Sequence, residues 1–437
     1  MVTTLRVLRL VLPAVLPATA AAMSNTICPT SALNEFLQRS HTKLHKIVSG
    51  DASGQVHVVI GNEAADPDSC VCAIAMAAAL DASMSETGCV APLIAVPRAD
   101  FKLQLDRVHL LRRAHLKGSG DGPLWTPTHV TFGDELDLHA LAARPGGLKV
   151  HLVDHNKLSA SFASLGPNVA SIIDHHADEA LYGETVAAGS KHVELGIGSC
   201  ASLVAERLQA LDSPFQADPA LCTLLLGAIV LDTVNLDPTA KAQKPREQEV
   251  ASEALLPHAA ALLGVSADVA GRTAFFDELI RVKADISLLS RFPTADLLRQ
   301  DYKEEAIAAG VGSVRVGVGS VVLPLPSLLS RQPLADLAAD FEAYAQARQL
   351  RLLLLMSVDL PARQRYLLLH CTEAALREEV LRVLEPIKLT SIEVTNADGG
   401  QVEQQVEHLR AFEAGDYSVS RKVLLPMLRS GLSAAKL

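Results

Sequence analysis

An apolar run in this chain stops abruptly at one carboxylate and two imidazoles. The residues Ser-Ile-Ile at 171–173 lead directly into Asp174, His175 and His176. Burying three such polar groups is unfavourable unless each of them finds a partner. We therefore expect a buried strand that emerges into a cleft at this point, where the three side chains are available to a ligand.

Three further apolar runs, at 56–61, 150–153 and 224–231, also lead into polar residues. In an open parallel sheet the carboxyl ends of the strands lie along one edge, and ligands bind above that edge. We expect all four runs to deliver their polar neighbours to such an edge. The residues that follow these three runs are Asn62, Asp66, Asp68, Asp154 and Asp232.

Together with Asp174, these acids form a group of carboxylates that would repel one another strongly without a cation. Oxygen ligands combined with one or two imidazoles suit hard or borderline divalent metals such as Mn or Mg. The sequence therefore predicts a divalent metal site at the carboxyl edge of the sheet.

Strands and helices alternate through the first half of the chain, which predicts a doubly wound parallel α/β sheet. The second half mixes strands and helices without this rhythm and predicts a smaller mixed α/β domain. The predicted elements of the first half are helices at 31–48, 69–80 and 106–116, strands at 56–60, 93–96 and 129–132, and the strands that end at Asp154 and Asp174.

Two domains are expected because 437 residues exceed what one core usually serves. We place the boundary in the polar stretch 237–249, which contains a breaking proline. The predicted parts are a catalytic domain at 23–240, a linker helix region at 241–270 and a substrate-binding domain at 271–437.

Residues 1–22 contain Arg6 and Arg9 but no acid, and prolines interrupt their apolar stretch. They are either a targeting segment or an upstream extension, the latter if translation begins at Met23. The seven cysteines are scattered, which indicates reduced thiols. We expect a cytoplasmic location, or an organellar one if residues 1–22 are a real targeting segment.

The composition argues against several classes of partner. The net charge is -10 and no long Lys/Arg block occurs, so a surface for duplex nucleic acid is not expected. Aromatic residues make up only 4%, which leaves few platforms for stacking single strands. No stretch reaches the length of a transmembrane helix. A small basic pocket for an anion remains compatible with these numbers.

A glycine-containing turn at 196–202 precedes an apolar helical pattern at 203–211. Backbone amides and hydroxyls at the start of a helix bind anions, which makes Ser199 a candidate substrate-binding residue. A second interpretation is that Ser199 is a plain N-cap. The pattern alone leaves both open.

Four motifs of the chain resemble those of the DHH phosphoesterase superfamily in order and in spacing. They lie at 62–69, 153–156, 174–176 and 231–233. The resemblance extends from about residue 31 to the end of the chain, and it implies a parallel-sheet DHH domain, a DHHA2-like second domain and an active site in the cleft between them.

The second half resembles the corresponding domain of the pyrophosphatase and exopolyphosphatase branch, with signature positions at 301–303 and 420–422. Within that branch the chain is most similar to the exopolyphosphatase and prune proteins. Asn62 is the discriminating residue, because family II pyrophosphatases carry histidine there and the exopolyphosphatase-like members carry asparagine.

The resemblance implies two divalent cations, Mn or Mg with Co possible, and an attacking water between them. Asp154 would bridge the two metals. Beside it, the resemblance implies Asn62 and Asp66 at the first metal and Asp68, His175 and Asp232 at the second.

The resemblance also implies how the substrate is held. His176 would face the phosphate, and Asp174 would orient an imidazole through its ring N–H. Phosphate contacts from the second domain would come from Lys303, Arg421 and Lys422, since guanidinium and ammonium groups bind phosphate.

The function implied is an exopolyphosphatase that releases orthophosphate from inorganic polyphosphate, or from another small phosphoanhydride. Inorganic pyrophosphatase and cyclic-nucleotide phosphodiesterase are alternatives with the same metal chemistry. A prune-like scaffold without catalysis is a third, less favoured because all the expected metal ligands are present. The oligomeric state is left open by the sequence.

Overall fold

The structure is a computed structural model that divides into two compact units. The first contains residues 24–283, and the second contains residues 284–437 with the short strand at 6–7. The residues that the structure describes are 6–7, 31–84, 88–120, 125–211, 213–239, 245–309, 312–393 and 408–434.

Elements are numbered in chain order through both units, beginning with β1 (Arg6–Val7). The strands of the first unit are β2 (Val56–Ile60), β3 (Cys89–Ile94), β4 (Gly118–Ser119), β5 (Thr126–Pro127), β6 (Thr131–Phe132), β7 (Leu148–Val153), β8 (Val169–Asp174) and β9 (Lys191–Val193). Its helices are α1 (Ala32–Ser49), α2 (Pro67–Ser83), α3 (Arg98–Phe101), α4 (Leu105–Arg113), α5 (Leu138–Ala142), α6 (Cys200–Gln209), α7 (Pro219–Asp232), α8 (Pro245–Glu249), α9 (Leu256–Leu263) and α10 (Val269–Lys283), with a 3-10 helix at Ala160–Asn168 and a π-helical turn at Val250–Leu255.

The main sheet of the first unit has the strand order β6-β3-β2-β7-β8-β9, and every pairing of these described strands is parallel. β4 and β5 form a separate antiparallel pair. The alanine-rich helix α2 packs against β3, α6 and α7, and its small side chains allow that close approach. The predicted parallel α/β domain is confirmed.

One predicted element is wrong in type. The apolar run 224–231 lies in α7, a helix rather than a strand. Asp218 caps this helix by accepting from two backbone amides, and Pro219 occupies its first turn, where the missing N–H is not needed. α7 still delivers Asp232 at its carboxyl end.

The second unit contains strands β10 (Lys303–Ala309), β11 (Gly312–Val321), β12 (Leu352–Asp359), β13 (Gln364–His370), β14 (Thr390–Glu393) and β15 (Leu409–Glu413). Its helices are α11 (Ile286–Leu289), α12 (Thr294–Arg299), α13 (Leu325–Leu329), α14 (Leu334–Ala347), α15 (Ala374–Val383) and α16 (Arg421–Ala434), with a 3-10 turn at Glu385–Ile387. The sheet order is β1-β14-β15-β13-β12-β11-β10. Parallel and antiparallel pairings both occur, as expected for a mixed domain.

The boundary between the two units lies after Lys283, later in the chain than the boundary predicted in the polar stretch 237–249. α9 packs against α7, and α10 packs against α4 and α7, so the first unit runs to Lys283. The reason is hydrophobic burial, since Leu256 and Phe275 belong to the core of the first unit. Within the described ranges, no helix combines the length and the apolar character needed to cross a membrane.

Candidate metal centre

The carboxyl ends of three neighbouring strands bring the predicted residues of the first unit together. The turn after β2 carries Asn62 and Asp66, β7 runs into Asp154, and β8 ends at Asp174. The parallel pairing of β2 with β7 and of β7 with β8 places these ends along one edge. The end of α7 adds Asp232.

Asp154 has two carboxylate oxygens with different neighbours. Its side chain is 2% exposed, and its backbone adopts the left-handed conformation with φ +59°. Oδ2 accepts hydrogen bonds from Ser69 Oγ at 2.6 Å and Asn62 Nδ2 at 2.9 Å. Oδ1 lies 3.2 Å from His175 Nε2. Asp154 therefore joins the β2–α2 turn to the end of β8.

The side chain of Asn62 is positioned by two hydrogen bonds. Its Nδ2 donates to Asp154, and its Oδ1 accepts from the amide N of Ala64 at 2.9 Å. Oδ1 is the atom that an amide offers to a metal. In this arrangement Asn62 acts as a donor to the carboxylate predicted to bridge the metals. Asp66 caps α2, with Oδ1 accepting from the amide N of Ser69 at 3.0 Å.

Asp68 lies in the first turn of α2 and is 2% exposed. Its Oδ1 accepts from Ser199 Oγ at 2.9 Å and from the amide N of Ala201 at 2.8 Å, and its Oδ2 accepts from the amide N of Cys200 at 2.6 Å. The start of α6 thus binds an anion, as helix amino termini do. The anion is the carboxylate of Asp68, and Ser199 itself is fully buried.

Burial raises the pKa values of two carboxyl groups in this cluster. Burial, reinforced by the charge of Asp154, raises the pKa of the Asp68 carboxyl to about 6, although a hydrogen bond with Asp232 opposes the shift. Burial also raises the pKa of Asp154, and the charge of Asp66 adds to the shift, although hydrogen bonds with His175 and Ser69 oppose it. A nearby cation would favour the ionised form of both carboxyl groups.

His175 has the orientation of a metal ligand. Its Nδ1 lies 3.0 Å from the carbonyl oxygen of Ile197, to which Nδ1–H donates, so Nε2 is directed at Asp154 and at Asp68 Oδ2, 4.0 Å away. Metal-binding histidines commonly use the second ring nitrogen in this way. Burial lowers the pKa of His175, but hydrogen bonding to Asp154 and the charge of Asp68 outweigh it and raise the pKa to about 9.

Asp174 is fully buried and holds His176 in place. Its Oδ1 accepts from His176 Nδ1 at 2.8 Å and from the amide N of His175 at 2.8 Å, while Asn156 Nδ2 donates to Oδ2. Burial would raise the pKa of Asp174, but the hydrogen bonds from His176 and Asn156 outweigh it and lower the pKa. The side chain of His176 is 59% exposed.

This donor set fits a divalent cation. Asp154, His175 and His176 each have a possible ligand atom within 4.8 Å of the others, although Nδ1 of His176 already donates to Asp174. Asp232, at the end of α7, lies near enough to Asp68 to affect the pKa of that carboxyl. Oxygen and imidazole donors in this combination suit Mn and related ions. A cation would stabilise the ionised forms of Asp68 and Asp154, which burial disfavours.

The basic residues predicted to bind phosphate belong to the second unit. Lys303 is exposed and begins β10, and Arg421 begins α16. Arg421 Nη2 forms an ion pair with Asp301 Oδ1, which brings the two signature positions of this unit together. The backbone of Lys422 lies in α16, but its side chain is outside what the structure describes.

Three buried polar residues support the site although sequence reasoning gave them no role. Ser69 and Asn156 lie inside the recognised motifs, so their position after β2 and β7 was a usable signal. Glu247 lies outside every motif, and its Oε1 accepts from the amide N of Gly198 at 2.9 Å. Only the tertiary structure shows that contact.

Fold and site together define an α/β protein with a candidate divalent metal centre at the carboxyl edge of a parallel sheet. Residues 57–229 match the model of the DHH family, N-terminal domain, and residues 277–430 match the DHHA2 domain. Exopolyphosphatase PRUNE1 of Homo sapiens is 33% identical over 414 residues, covering 92% of this chain and 80% of that protein. The chain belongs to the DHH family and carries a DHHA2 domain, which confirms the resemblance seen in its motifs.

Two further relatives are more distant. A probable manganese-dependent inorganic pyrophosphatase of Deinococcus radiodurans is 27% identical over 249 residues, which cover 56% of this chain and 73% of that protein. The crystal structure of a putative family II inorganic pyrophosphatase of Methanococcus jannaschii superposes with a TM-score of 0.51 at 20% identity, covering 86% of this chain and 99% of that one. The latter supports the fold.

Proposed function

We propose that this protein is a metal-dependent hydrolase of phosphoanhydrides, and specifically an exopolyphosphatase. The observation that carries the proposal is the convergence of two buried carboxylates on one imidazole, since His175 Nε2 lies 3.2 Å from Asp154 Oδ1 and 4.0 Å from Asp68 Oδ2. The names of the relatives, exopolyphosphatase and manganese-dependent inorganic pyrophosphatase, support the same reaction class.

Two divalent cations, Mn or Mg with Co possible, would shield the charge of the substrate and supply a hydroxide nucleophile near neutral pH. Asp154 suits the bridging position because its two oxygens face different sides of the site. The metal ligands proposed beside it are Asn62 and Asp66 on one side and Asp68, His175 and Asp232 on the other.

The protein groups around the metals have distinct tasks in this proposal. Asp174 fixes the ring of His176 through Nδ1, and Nε2 of this largely exposed side chain is proposed to contact a phosphate oxygen. The hydrogen bond to the carbonyl of Ile197 keeps the Nε2 edge of His175 toward the carboxylates. Both interactions orient imidazoles before substrate binds, which reduces the reorganisation needed during reaction.

Lys303, Arg421 and Lys422 are proposed to contact the phosphate chain from the DHHA2 domain. A guanidinium binds phosphate through paired N–H groups, and a lysine contributes a point charge. Asp301 holds the guanidinium of Arg421 through an ion pair. A role for Ser199 in binding substrate would have to work through Asp68, because its hydroxyl donates to that carboxylate.

The preference for polyphosphate over pyrophosphate rests on Asn62, the residue that separates the two groups within the family resemblance. Pyrophosphatase activity is the second candidate, favoured by the relative from Deinococcus radiodurans. The test is kcat/KM for orthophosphate release from long polyphosphate, tripolyphosphate, pyrophosphate and cyclic AMP, each with Mn or Mg. We expect the highest value for a polyphosphate. If kcat/KM were higher for pyrophosphate, the protein would be an inorganic pyrophosphatase instead of an exopolyphosphatase.

A further inference from the structure

Glu247 is a fully buried acid outside the recognised motifs, on the short helix α8. Its Oε1 accepts two hydrogen bonds from the turn at 196–202. One comes from the amide N of Gly198 at 2.9 Å, and the other comes from Ser202 Oγ at 3.3 Å. In the part of the chain that the structure describes, Oε2 of Glu247 is buried without a hydrogen-bond partner, so the two contacts of Oε1 must offset the desolvation of this side chain. They tie α8 to the turn.

The same turn orients two of the proposed metal ligands. The carbonyl oxygen of Ile197 accepts from His175 Nδ1. The next residues hold Asp68 through the hydroxyl of Ser199 and the amides of Cys200 and Ala201. A displacement of this turn would therefore move both an imidazole and a carboxylate of the proposed second metal site.

The turn also packs on the end of α7, which carries Asp232, another proposed ligand of the second metal. A Cβ added at Gly198 would lie 2.7 Å from Thr233 Cγ2 and 3.3 Å from Glu247 Oε1. Gly198 is thus enclosed between Glu247 and the residue that follows Asp232. Only a glycine allows the backbone to approach Thr233 and Glu247 this closely.

We infer that Glu247 is a positioning residue for the second metal site of the proposed function, because it fixes the turn that holds Asp68 and His175 against Asp232. The inference rests on the proposed function, since it assigns a role toward that metal. Substitution of a residue that orients metal ligands typically lowers metal affinity by about tenfold to a hundredfold.

The experiment is a titration of the metal-free protein with Mn, in which electron paramagnetic resonance measures free Mn in the absence of substrate. For the wild type we expect two bound Mn. In Glu247→Ala the affinity of one site should fall by about tenfold to a hundredfold, and the other site should remain. Glu247→Gln keeps an oxygen acceptor at the same distance and should restore affinity to near the wild-type value.

Hydrogen exchange of the peptide that covers 196–202 provides a readout without metal. Exchange should be faster in Glu247→Ala than in the wild type and close to wild type in Glu247→Gln, because loss of the acceptor frees the amide of Gly198. Glu249→Ala is the matched control, since Glu249 is an exposed acid on the same helix. It should leave both readouts unchanged.

The outcomes separate the inference from the function on which it rests. If Glu247→Ala binds two Mn with wild-type affinities, or if Glu247→Gln is as defective as Glu247→Ala, the positioning role is overturned while the proposed function stands. If the wild type binds no Mn or other divalent ion, the proposed metal centre fails and the inference falls with it. Should Glu247→Ala not fold, Glu247→Asp, which shortens the side chain by one methylene, takes its place with the same expected loss at one site.

Discussion

Asp154 shows how one residue connects the separate parts of the site. It is almost fully buried, yet its carboxylate accepts from Ser69 and Asn62 on one oxygen and lies next to His175 on the other. Its backbone adopts the left-handed conformation at φ +59°, which aspartate and asparagine tolerate better than most residues other than glycine.

Asp154→Asn should reduce kcat/KM for polyphosphate to less than about a tenth of the wild-type value, because groups that act directly in catalysis are worth far more than tenfold. The fold should remain, since an asparagine has the same shape and tolerates the left-handed conformation. The measurement is steady-state kinetics at saturating Mn with circular dichroism. Asp51→Asn, on an exposed loop, is the control. If Asp154→Asn kept more than a tenth of the wild-type activity at saturating metal, Asp154 would not be the residue that bridges the metals.

Asn62→His should tighten Mn binding and raise the ratio of pyrophosphate to polyphosphate hydrolysis. A neutral imidazole is a better ligand for Mn than a carboxamide. The substitution also removes the donor that Asn62 offers to Asp154. The measurement is kcat/KM for both substrates in the wild type and the variant, together with the Mn dissociation constant. An unchanged ratio despite tighter Mn binding would show that Asn62 does not set substrate choice.

At the scale of elements, the site depends on the turn that joins β2 to α2. Asp66 caps the helix, Pro67 fits its first turn, and Ser69 donates to Asp154. Gly61 follows β2 and lies against Ser69, because an added Cβ would be 2.7 Å from Ser69 Cβ and from the carbonyl oxygen of Ser69. Strand, turn and helix are therefore packed too closely for any larger residue at Gly61.

Gly61→Ala should destabilise the protein by about 1–3 kcal/mol, the usual cost of forcing a methyl group into a close-packed region. It should also lower activity, because Ser69 must move away from Asp154. Thermal or chemical unfolding and the hydrolysis assay measure the two effects. Gly183→Ala is the matched control, since a Cβ there meets no atom within 4 Å. Equal stability of the two variants would contradict the packing argument.

Much of the fold at this scale was predictable, and the main error has a physical cause. The strands at 56–60 and 150–153 combine apolar runs with polar ends, which is the pattern of buried parallel strands. The run 224–231 has the same pattern but forms part of α7, because a helix buried on every side shows no periodicity. Asp218 and Pro219 at its start were the usable signal for a helix.

The candidate site was predictable where its residues follow strands and not where tertiary contacts decide their partners. Asp154 and His175 were identifiable from their positions after apolar runs. The turn before α6 predicts donors for an anion of the substrate or a plain N-cap at Ser199, and no pattern in the sequence indicates that these donors bind the carboxylate of Asp68. Glu247 reaches Gly198 across 49 residues of chain, and that proximity exists only in the folded domain.

At the scale of the whole molecule, the proposal assigns metal binding to the DHH domain and phosphate binding to the DHHA2 domain. Arg421→Ala should raise KM for polyphosphate by about tenfold or more, since a hydrogen bond to a charged group contributes about 1.5–3 kcal/mol. Lys303→Ala and Lys422→Ala should act in the same direction. The affinity for Mn should be unchanged in all three variants.

Arg382→Ala provides the control for these variants, because Arg382 is an exposed arginine of the same domain and pairs with Glu379. It should leave KM unchanged. Lower Mn affinity with an unchanged KM in Arg421→Ala would assign Arg421 and its partner Asp301 to the structure of the domain instead of to the substrate.

The central claim is that hydrolysis by this protein depends on divalent metals held at the edge of the parallel sheet. The most direct measurement is orthophosphate release from long polyphosphate by protein stripped of metal with a chelator, before and after Mn or Mg is restored. We predict no release from the stripped protein, recovery with Mn or Mg in the wild type and no recovery in Asp154→Asn. Release that persists in the stripped protein, or no release with any divalent metal, would contradict the account.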